Sequence, residues 1–171
     1  GMAVVRWNED IRDDVLTARF DGVNLYLMCG QGIHSEKLHM GAGNRGLRPK
    51  QGSSEVAPGK LGNIRYLATI EPWHGHQVVA YTPEKGILPW RRKVIDSTFD
   101  DGHAIACADL DGDGNDEIVA GYRGSGTSLY IYRYLTEKQQ WQRIPLDAGG
   151  MAAAGVRIAD FNGDGRLDVA A

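Results

Sequence analysis

The sequence predicts an all-β protein, a β-propeller segment made of about three blades of four short antiparallel strands each. Two observations lead to this prediction: the chain repeats itself with a period of 51 residues, and each repeat divides into short β-rich runs separated by Gly, Pro and Asp clusters. Helical spacing is poor throughout, and the 23 glycines suit turns better than helices. We therefore expect one domain over residues 2–171.

The period depends on seven identities in one register. Tyr81 recurs as Tyr132, Trp90 as Trp141, Arg92 as Arg143, Asp96 as Asp147, Asp109 as Asp160, Gly112 as Gly163 and Asp113 as Asp164. Matches at a single spacing indicate a repeat architecture. Because Trp90 and Trp141 hold the same place in their repeats, we expect both to pack in the core or between blades.

The repeat over residues 101–150 has the clearest strands. Its four β-rich runs are His103–Ala108, Glu117–Tyr122, Ser128–Tyr134 and Trp141–Leu146. The first strand of a propeller blade is the innermost one, so we expect the run that begins at His103 to line the central channel.

The repeats on either side of this blade are less regular. Residues 51–100 predict a blade whose second and third strands are Arg65–Ile70 and Gln77–Thr82. Residues 151–171 predict the start of a further blade, and the sequence stops in its second strand.

The first repeat, residues 15–50, predicts a degenerate blade. Val15–Phe20 and Asn24–Cys29 have the pattern of its opening strands. The segment Gln31–Gln51 is Gly-rich and basic and has no strand pattern, which predicts a long loop.

About three blades cannot close a ring that usually needs four to eight. Open ends would expose unpaired strand edges. We therefore expect either that the sequence is a fragment of a longer polypeptide or that self-association or a second chain completes the propeller.

The charge and composition of the chain limit which partners it could bind and where in the cell it could be found. A net charge of -3 and a pI near 5.9 give no basic field for phosphate backbones, so we expect no nucleic acid. No apolar run approaches the roughly 18 residues that cross a bilayer, and no signal-peptide pattern is present. The localisation stays unknown, with the cytoplasm slightly favoured. Cys29 and Cys107 lie in apolar runs without metal-type spacing, so we expect two buried free thiols.

Two acidic loops follow the first strands of the last two repeats, at Asp109–Glu117 and Asp160–Asp168. Oxygen side chains occupy loop positions 1, 3, 5 and 9, and position 7 can give a backbone carbonyl. Such a set suits calcium, which takes about six to eight oxygen ligands. The predicted ligands are Asp109, Asp111, Asp113, Asn115 and Glu117 in the first loop and Asp160, Asn162, Asp164, Arg166 and Asp168 in the second, with Asn115 and Arg166 binding through backbone carbonyls.

Neighbouring carboxylates also favour a bound cation, because like charges a few ångströms apart repel by roughly a kcal/mol per pair even in water. An EF-hand is excluded because its Glu at position 12 is Ala120 or Ala171 here. Asp/Gly-rich turns without metal are the alternative. If calcium binds, we expect it to staple the first strand of a blade to the second and to take no part in chemistry.

Histidines form the other candidate site. The turn Glu71-Pro72-Trp73-His74-Gly75-His76 brings together a carboxylate, an indole and two imidazoles, and His103 should point toward the channel mouth. His74, His76 and His103 could bind a zinc-type ion or act as acid and base near neutral pH. They could equally be solvated turn residues. Trp73 could stack on a sugar ring or simply pack.

The acidic loops and their β context resemble the FG-GAP or VCBS repeat, a propeller blade with a calcium loop. Two repeats carry the motif in full. The earlier repeats depart from it, since Phe20–Asn24 keeps one acid and Pro58–Asn63 keeps none. The resemblance therefore implies two calcium ions.

A narrower resemblance is carried by Arg65–Gly75, Asp101–Ala104 and Met151–Ala154. These segments are similar to the propeller of the aldos-2-ulose dehydratase family, with the likeness expected over about Val56 to Ala171. The resemblance implies a seven-bladed ring, added cupin domains, bound metal and the dehydration of sugar-derived ketoses such as 1,5-anhydrofructose. It also implies that His74, His76, His103 and Glu71 are metal or sugar ligands. We therefore expect His74, His103 and Glu71 to act in catalysis and His76, together with the neighbouring Trp73, to bind substrate.

Two hypotheses of function follow. The first is a metal-dependent, carbohydrate-acting lyase, of which this chain would be the propeller part and which by itself could be inactive. The second is a non-catalytic, calcium-stabilised module that binds sugar or protein. Fold alone does not separate them.

Overall fold

The computed structural model describes residues 1–8, 10–42, 51–84 and 87–171. Every regular element in these residues is a β-strand, which confirms the all-β prediction. None of the described residues forms a helix that could cross a membrane. The strands are β1 (Met2–Val5), β2 (Asp14–Arg19), β3 (Gly22–Cys29), β4 (Gly32–Lys37), β5 (Glu55–Leu61), β6 (Ile64–Glu71), β7 (Gln77–Glu84), β8 (Ile87–Asp96), β9 (Gly102–Ala108), β10 (Glu117–Tyr122), β11 (Ser128–Leu135), β12 (Gln140–Ala148), β13 (Arg157–Ala159) and β14 (Asp168–Ala170).

These strands form three four-stranded antiparallel sheets and one two-stranded sheet. Each sheet follows chain order, with β1 to β4, β5 to β8, β9 to β12, and β13 with β14. The first strands of neighbouring sheets lie side by side, since β5 contacts both β1 and β9, and β9 contacts β13. The sheets are therefore propeller blades with the first strand innermost. We number them blades 1 to 4, of which blade 4 has two strands.

Most of the predicted strands agree with the structure. The four strands of blade 3 begin and end within two residues of their predicted bounds. The second and third strands of blade 2 agree equally well, and β14 is the second strand of blade 4 as expected.

Blade 1 differs from the sequence prediction in two respects. Its second and third strands are β2 and β3, which were expected to open the blade, because β1 precedes them and pairs with β2. In addition, β4 lies inside the predicted loop Gln31–Gln51 and pairs with β3. All residues of β4 are exposed, so this strand lacks the apolar alternation that reveals a strand in sequence. Residues 43–50 of the predicted loop lie outside the described residues.

The hydrophobic core lies between successive blades. One cluster joins blades 1 and 2, a second joins blades 2 and 3, and a third joins blade 3 to the segment that leads into blade 4. Trp90 packs against the first cluster and stacks on Trp7, with ring centroids 5.6 Å apart. Trp141 packs against the second cluster. The prediction that both tryptophans are packing residues is therefore confirmed.

A buried polar contact also crosses from blade 2 to blade 3. The hydroxyl of Tyr132 donates a 2.7 Å hydrogen bond to Oδ2 of Asp96. Arg143 lies 3.2 Å from the same oxygen. Tyr132 and Arg143 are two of the residues that recur with the 51-residue period, and their counterparts Tyr81 and Arg92 bind the carboxylate of Glu71 within blade 2.

Alternation of strand direction gives the blades two distinct ends. The histidine end holds the β6–β7 turn (residues 71–76) and the start of β9 at Gly102. The acidic end holds the loops at residues 109–116 and 160–167, which follow β9 and β13. Because β9 has seven residues, the two ends are about 20 Å apart.

Candidate functional site

The histidine end contains a cluster of His74, Asp101 and His103, whose ligand atoms all lie within 4.8 Å of one another. Oδ1 of Asp101 is 3.3 Å from Nδ1 of His74 and 3.9 Å from Nε2 of His103. The two imidazole centroids are 4.2 Å apart. The fold therefore brings two of the three predicted histidines to one carboxylate.

Each member of the cluster comes from a different local element. His74 lies in the turn that joins β6 to β7, Asp101 ends the connection from β8 to β9, and His103 is the second residue of β9. His74 and Asp101 have positive φ values of 49° and 55°. Such values are uncommon for residues other than glycine and are concentrated at functional sites.

Arg123 fixes the carboxylate of this cluster. Its Nε donates a 2.7 Å hydrogen bond to Oδ2 of Asp101, which leaves Oδ1 facing the imidazoles. Burial by itself raises the pKa of Asp101, but the hydrogen bond and charge of Arg123 outweigh it and hold the pKa below its usual value. Asp101 is therefore an anion at neutral pH.

The surroundings of His103 favour the neutral form of its imidazole. Burial is the largest cause that lowers its pKa, the nearby charges of His74 and Arg123 lower it further, and the carboxylate of Asp101 opposes the shift only in part. Its Nε2 atom is buried and has no hydrogen-bond partner in the described part of the chain. A neutral imidazole with a free nitrogen beside a carboxylate can bind a metal ion or accept a proton.

The other predicted residues of the turn lie apart from this cluster. His76 is exposed, and its carbonyl accepts a hydrogen bond from the amide of Phe99 at 3.2 Å. Trp73 packs beside His74, with ring centroids 5.0 Å apart, and contacts Phe20 on its other side at 5.9 Å. Trp73 thus remains adjacent to the cluster, whereas His76 is not one of its ligand groups.

Glu71 has a different place from the one expected. Its side chain is fully buried, and its carboxylate accepts hydrogen bonds from Thr69, Tyr81 and Arg92. Glu71 is not part of the histidine cluster, whose carboxylate is Asp101. The predicted catalytic carboxylate is thus an interior anchor, because Glu71 is the last residue of β6 and points into the blade.

Three residues of the site were missed from sequence. Asp101 and Arg123 are far from the His-rich turn in the chain, and only the fold brings them to it. Glu55, the first residue of β5, lies at the same end of the blades; burial raises its pKa, and the terminal ammonium of Gly1 and the charge of His74 offset only part of that rise. The terminal ammonium of Gly1 lies 3.9 Å from Oε1 of Glu55. The position of Glu55 at the start of an innermost strand is the sequence feature that could have indicated its place at this end of the blades.

The first acidic loop closes around the carboxylate of Asp109. Its oxygens accept hydrogen bonds from the amides of Gly112 at 2.8 Å and Gly114 at 3.0 Å. Both glycines have positive φ, which the tight turn requires. One ligand atom each from Asp109, Asp111 and Glu117 lies within 4.8 Å of the others. The structure thus gathers the residues of loop positions 1, 3 and 9.

Glu117 has an unsatisfied oxygen inside this group. Its residue is 1% exposed, and its Oε2 accepts a hydrogen bond from the amide of Leu110 at 2.9 Å. Its Oε1 is buried with no partner among the described residues. Burial raises the pKa of Glu117, and the charges of Asp111 and Asp113 add to that rise, whereas the hydrogen bond from Leu110 and the charge of Arg133 oppose it in part. A buried, unpaired carboxylate oxygen among other carboxylates is the environment that a cation would stabilise.

Two other predicted ligands of this loop have different contacts. Asp113 accepts hydrogen bonds from the amide and side chain of Asn115 at 2.8 and 3.1 Å. The side chain of Asn115 accepts from the amide of Gly62, so the loop also docks onto blade 2. Arg133 pairs with the carboxylate of Asp111.

The second acidic loop repeats the first in its backbone contacts. Asp160 accepts hydrogen bonds from the amides of Gly163 and Gly165 at 2.6 and 2.9 Å, and these contacts lower its pKa. Asp168 accepts from the amide of Phe161 at 3.0 Å, as Glu117 does from Leu110. The second loop is more exposed, and its Asp160, Asp164 and Asp168 do not form a group as tight as the first among the described residues. Asn162 and Arg166 are exposed on the same loop.

The fold and these loops define an all-β protein of propeller blades with Asp/Gly-rich loops between the first and second strands. Residues 109–171 match the sequence model of the family described as FG-GAP-like repeat, which confirms that resemblance for the last two repeats. The chain is also similar to aldos-2-ulose dehydratase of Phanerodontia chrysosporium, with 24% identity over 180 residues. This likeness covers 92% of the present chain, so it extends beyond the expected Val56–Ala171. It covers 20% of the relative, so the chain spans about a fifth of that protein's length.

Proposed function

We propose that this chain is the calcium-stabilised propeller part of a carbohydrate-acting lyase, with a transition-metal site formed by His74, Asp101 and His103. The observation behind this proposal is the convergence of two imidazole nitrogens and one carboxylate oxygen at the histidine end. The likeness to aldos-2-ulose dehydratase supports the reaction class, a dehydration of a sugar-derived ketose.

The ligand geometry is close to that of a zinc-type site. Ligands about 2.0 to 2.1 Å from a tetrahedral ion lie about 3.3 Å from one another. The distance from Asp101 Oδ1 to His74 Nδ1 is 3.3 Å, and that to His103 Nε2 is 3.9 Å. Three protein ligands would leave a fourth position for substrate, the usual arrangement of a catalytic site. Arg123 would orient Asp101, as residues behind metal ligands commonly do.

Such an ion would supply Lewis acidity toward a ketose carbonyl. With the imidazoles occupied as ligands, Glu55 is our candidate for proton transfer. Its carboxylate would take the proton next to the carbonyl, and the electrons of that C–H bond would form a carbon–carbon double bond. The neighbouring C–O bond would break, and the hydroxyl would leave as water with the proton that Glu55 returns.

Calcium would have a separate role at the acidic end. Oε1 of Glu117, which has no hydrogen-bond partner among the described residues, and the carboxylates of Asp109 and Asp111 support a first calcium site. The repeated backbone contacts of Asp160 support a second. Because β9 separates the two ends, calcium would staple strands and not touch the substrate.

A second candidate is a non-catalytic, calcium-stabilised module that binds sugar or protein. The acidic loops favour it, since they account for calcium without any chemistry at the histidine end. This candidate requires no transition metal at His74 and His103.

The variant His103→Ala separates the two candidates. We expect it to lose the transition metal and ketose dehydration, measured by elemental analysis and by product formation from 1,5-anhydrofructose, with the melting temperature unchanged. His34→Ala is the matched control, because His34 lies exposed on β4. Unchanged metal content and turnover in His103→Ala would contradict the lyase proposal, and a chain with calcium alone would favour the module.

A further inference from the structure

The first acidic loop, Asp109–Glu117, contacts blade 2 as well as its own blade. The amide of Asp116 donates a 2.8 Å hydrogen bond to the carbonyl of Lys60, and the amide of Lys60 donates to Oδ2 of Asp116 at 3.0 Å. The buried hydroxyl group of Tyr66 donates to the carbonyl of Asp116 at 2.8 Å. Three hydrogen bonds therefore hold Asp116 against β5 and β6.

Asn115 extends the same contact. Its side-chain oxygen accepts a 3.0 Å hydrogen bond from the amide of Gly62, which lies in the turn between β5 and β6. Asn115 also forms an isolated β-bridge with Leu61. We call this contact the clasp, and its members are Asn115 and Asp116 of blade 3 and Lys60, Leu61, Gly62 and Tyr66 of blade 2.

The clasp is continuous with the candidate calcium ligands. Asn115 and Asp116 lie between Asp113 and Glu117, which are both predicted ligands. Oδ1 of Asp113 accepts hydrogen bonds from the amide and the side chain of Asn115, at 2.8 and 3.1 Å. A cation that fixes Asp113 and Glu117 would therefore also fix the two residues between them, which face blade 2.

Glu117 provides the evidence for a cation at this loop. The residue is 1% exposed, and its Oε1 has no hydrogen-bond partner among the described residues. Carboxylate oxygens of Asp109 and Asp111 lie within 4.8 Å of a Glu117 oxygen. A cation would compensate these charges, whereas without it their repulsion loosens the loop that carries the clasp.

The other blades lack an acidic loop that docks in this way. Arg65 precedes Asp116 by the 51-residue period, and its guanidinium group donates to the carbonyls of Arg6 and Trp7, both at 2.7 Å, so it joins blade 2 to blade 1 without an acidic loop. In blade 4 the corresponding residue is Leu167, which is 40% exposed and forms no hydrogen bond to blade 3 among the described residues. The second acidic loop therefore has no clasp in the part of the chain that the structure describes.

We propose that calcium at the first acidic loop controls the docking of blade 3 on blade 2 through the clasp, and that calcium at the second loop has no such effect. The inference rests on the calcium sites of the proposed function and not on the lyase reaction. Bound calcium fixes Asn115 and Asp116 and closes the clasp. Removal of calcium opens the clasp, while the apolar cluster between blades 2 and 3 keeps the blades together.

The test is hydrogen exchange of backbone amides, followed by NMR, on the full chain in saturating calcium and in chelator. Removal of calcium should speed the exchange of the Lys60 and Gly62 amides about tenfold, because each loses a hydrogen bond to the loop. The amide of Met28 is the internal control, since it donates to Asp14 within blade 1. Its exchange rate should not depend on calcium.

A pair of matched variants separates the two acidic loops. Glu117 and Asp168 hold the same loop position, and they accept hydrogen bonds from the amides of Leu110 and Phe161. Glu117→Gln should abolish the effect of calcium on the Lys60 and Gly62 amides. Asp168→Asn should keep that effect, because the second loop has no clasp.

Three outcomes would overturn the clasp: no calcium in the wild type by elemental analysis, bound calcium without a change in exchange at Lys60 and Gly62, or the same calcium effect in Glu117→Gln as in the wild type. Loss of the effect in Asp168→Asn would contradict the distinction between the loops. The transition-metal content of the same preparations tests the lyase separately. Both metals bound without an exchange effect contradicts only the clasp, whereas a calcium-dependent clasp without transition metal contradicts only the lyase.

Discussion

Glu117 is the residue at which the stability of the fold would depend most directly on the proposed calcium ion. One of its oxygens is buried without a partner in the part of the chain that the structure describes, and two further carboxylates of the loop lie within 4.8 Å. A buried charge without compensation destabilises the folded state, and a bound cation would reverse that effect. The charge of Glu117 should therefore destabilise the folded state in metal-free buffer and stabilise it when calcium is bound.

We predict that Glu117→Gln raises the free energy of unfolding by about 1 kcal/mol in metal-free buffer, because it removes the buried charge. In saturating calcium the same variant should be less stable than the wild type, because a ligand is lost. Urea unfolding under both conditions measures the effect. Glu137→Gln, at an exposed turn position, is the control and should change neither value. Destabilisation by the same amount in both buffers would argue against calcium at this loop.

The two cysteines provide a second test at the scale of the residue. Both are free thiols, as expected, but only Cys107 is shielded, and the prediction that both are buried is wrong for the exposed Cys29. Burial raises the pKa of Cys107 to about 12. We predict that iodoacetamide at about pH 8 labels Cys29 and spares Cys107 in the native protein, since the thiolate is the reactive form. Peptide mass spectrometry reads the result, and labelling of both without denaturant would contradict the packing of β9.

At the scale of the element, blades are joined by polar contacts as well as by apolar clusters. Tyr132 and Arg143 of blade 3 share the carboxylate of Asp96 from blade 2. In blade 2 the corresponding Tyr81 and Arg92 share Glu71. The repeat thus conserves a tyrosine and an arginine around a carboxylate, although the carboxylate comes from a different place in each blade.

We predict that Tyr132→Phe lowers the free energy of unfolding by about 1 to 3 kcal/mol, because Asp96 loses a buried hydrogen bond. Tyr134→Phe is the matched control, because no hydrogen bond to a described residue is found for its hydroxyl. Chemical denaturation of both variants measures the difference. Equal stability of the two variants would mean that the interblade hydrogen bond contributes nothing.

Strands with a strong sequence pattern could be predicted. The strands of blade 3 are short β-rich runs bounded by Gly, Pro and Asp clusters, and they belong to the 51-residue repeat, so their bounds could be predicted closely. β4 could not be predicted, because all of its residues are exposed. Asp101 could not be predicted as the partner of His74, because only the passage of the chain from β8 into β9 brings it there. Glu71 was misassigned because its neighbours in sequence are histidines, whereas its neighbours in space are Tyr81 and Arg92.

At the scale of the whole molecule, the two ends of the blades divide the proposed roles. The carboxylates proposed to bind calcium lie at the acidic end, and the histidine cluster lies about 20 Å away. We predict that calcium raises the melting temperature of the wild type, because a ligand that binds only the folded state stabilises it. Differential scanning calorimetry with added calcium or chelator measures the shift. His103→Ala should show the same shift, and its loss in that variant would contradict the separation of the two ends.

Elemental analysis of the wild type, His103→Ala and Glu117→Gln after dialysis against metal-free buffer is the most direct test of separate metal sites at the two ends of the blades. We predict about two calcium ions, as the two acidic loops imply, and about one transition-metal ion per wild-type chain. His103→Ala should lose only the transition metal, and Glu117→Gln only one calcium. A wild-type chain without transition metal, or two variants that lose the same ion, would contradict the assignment of separate metals to the two ends.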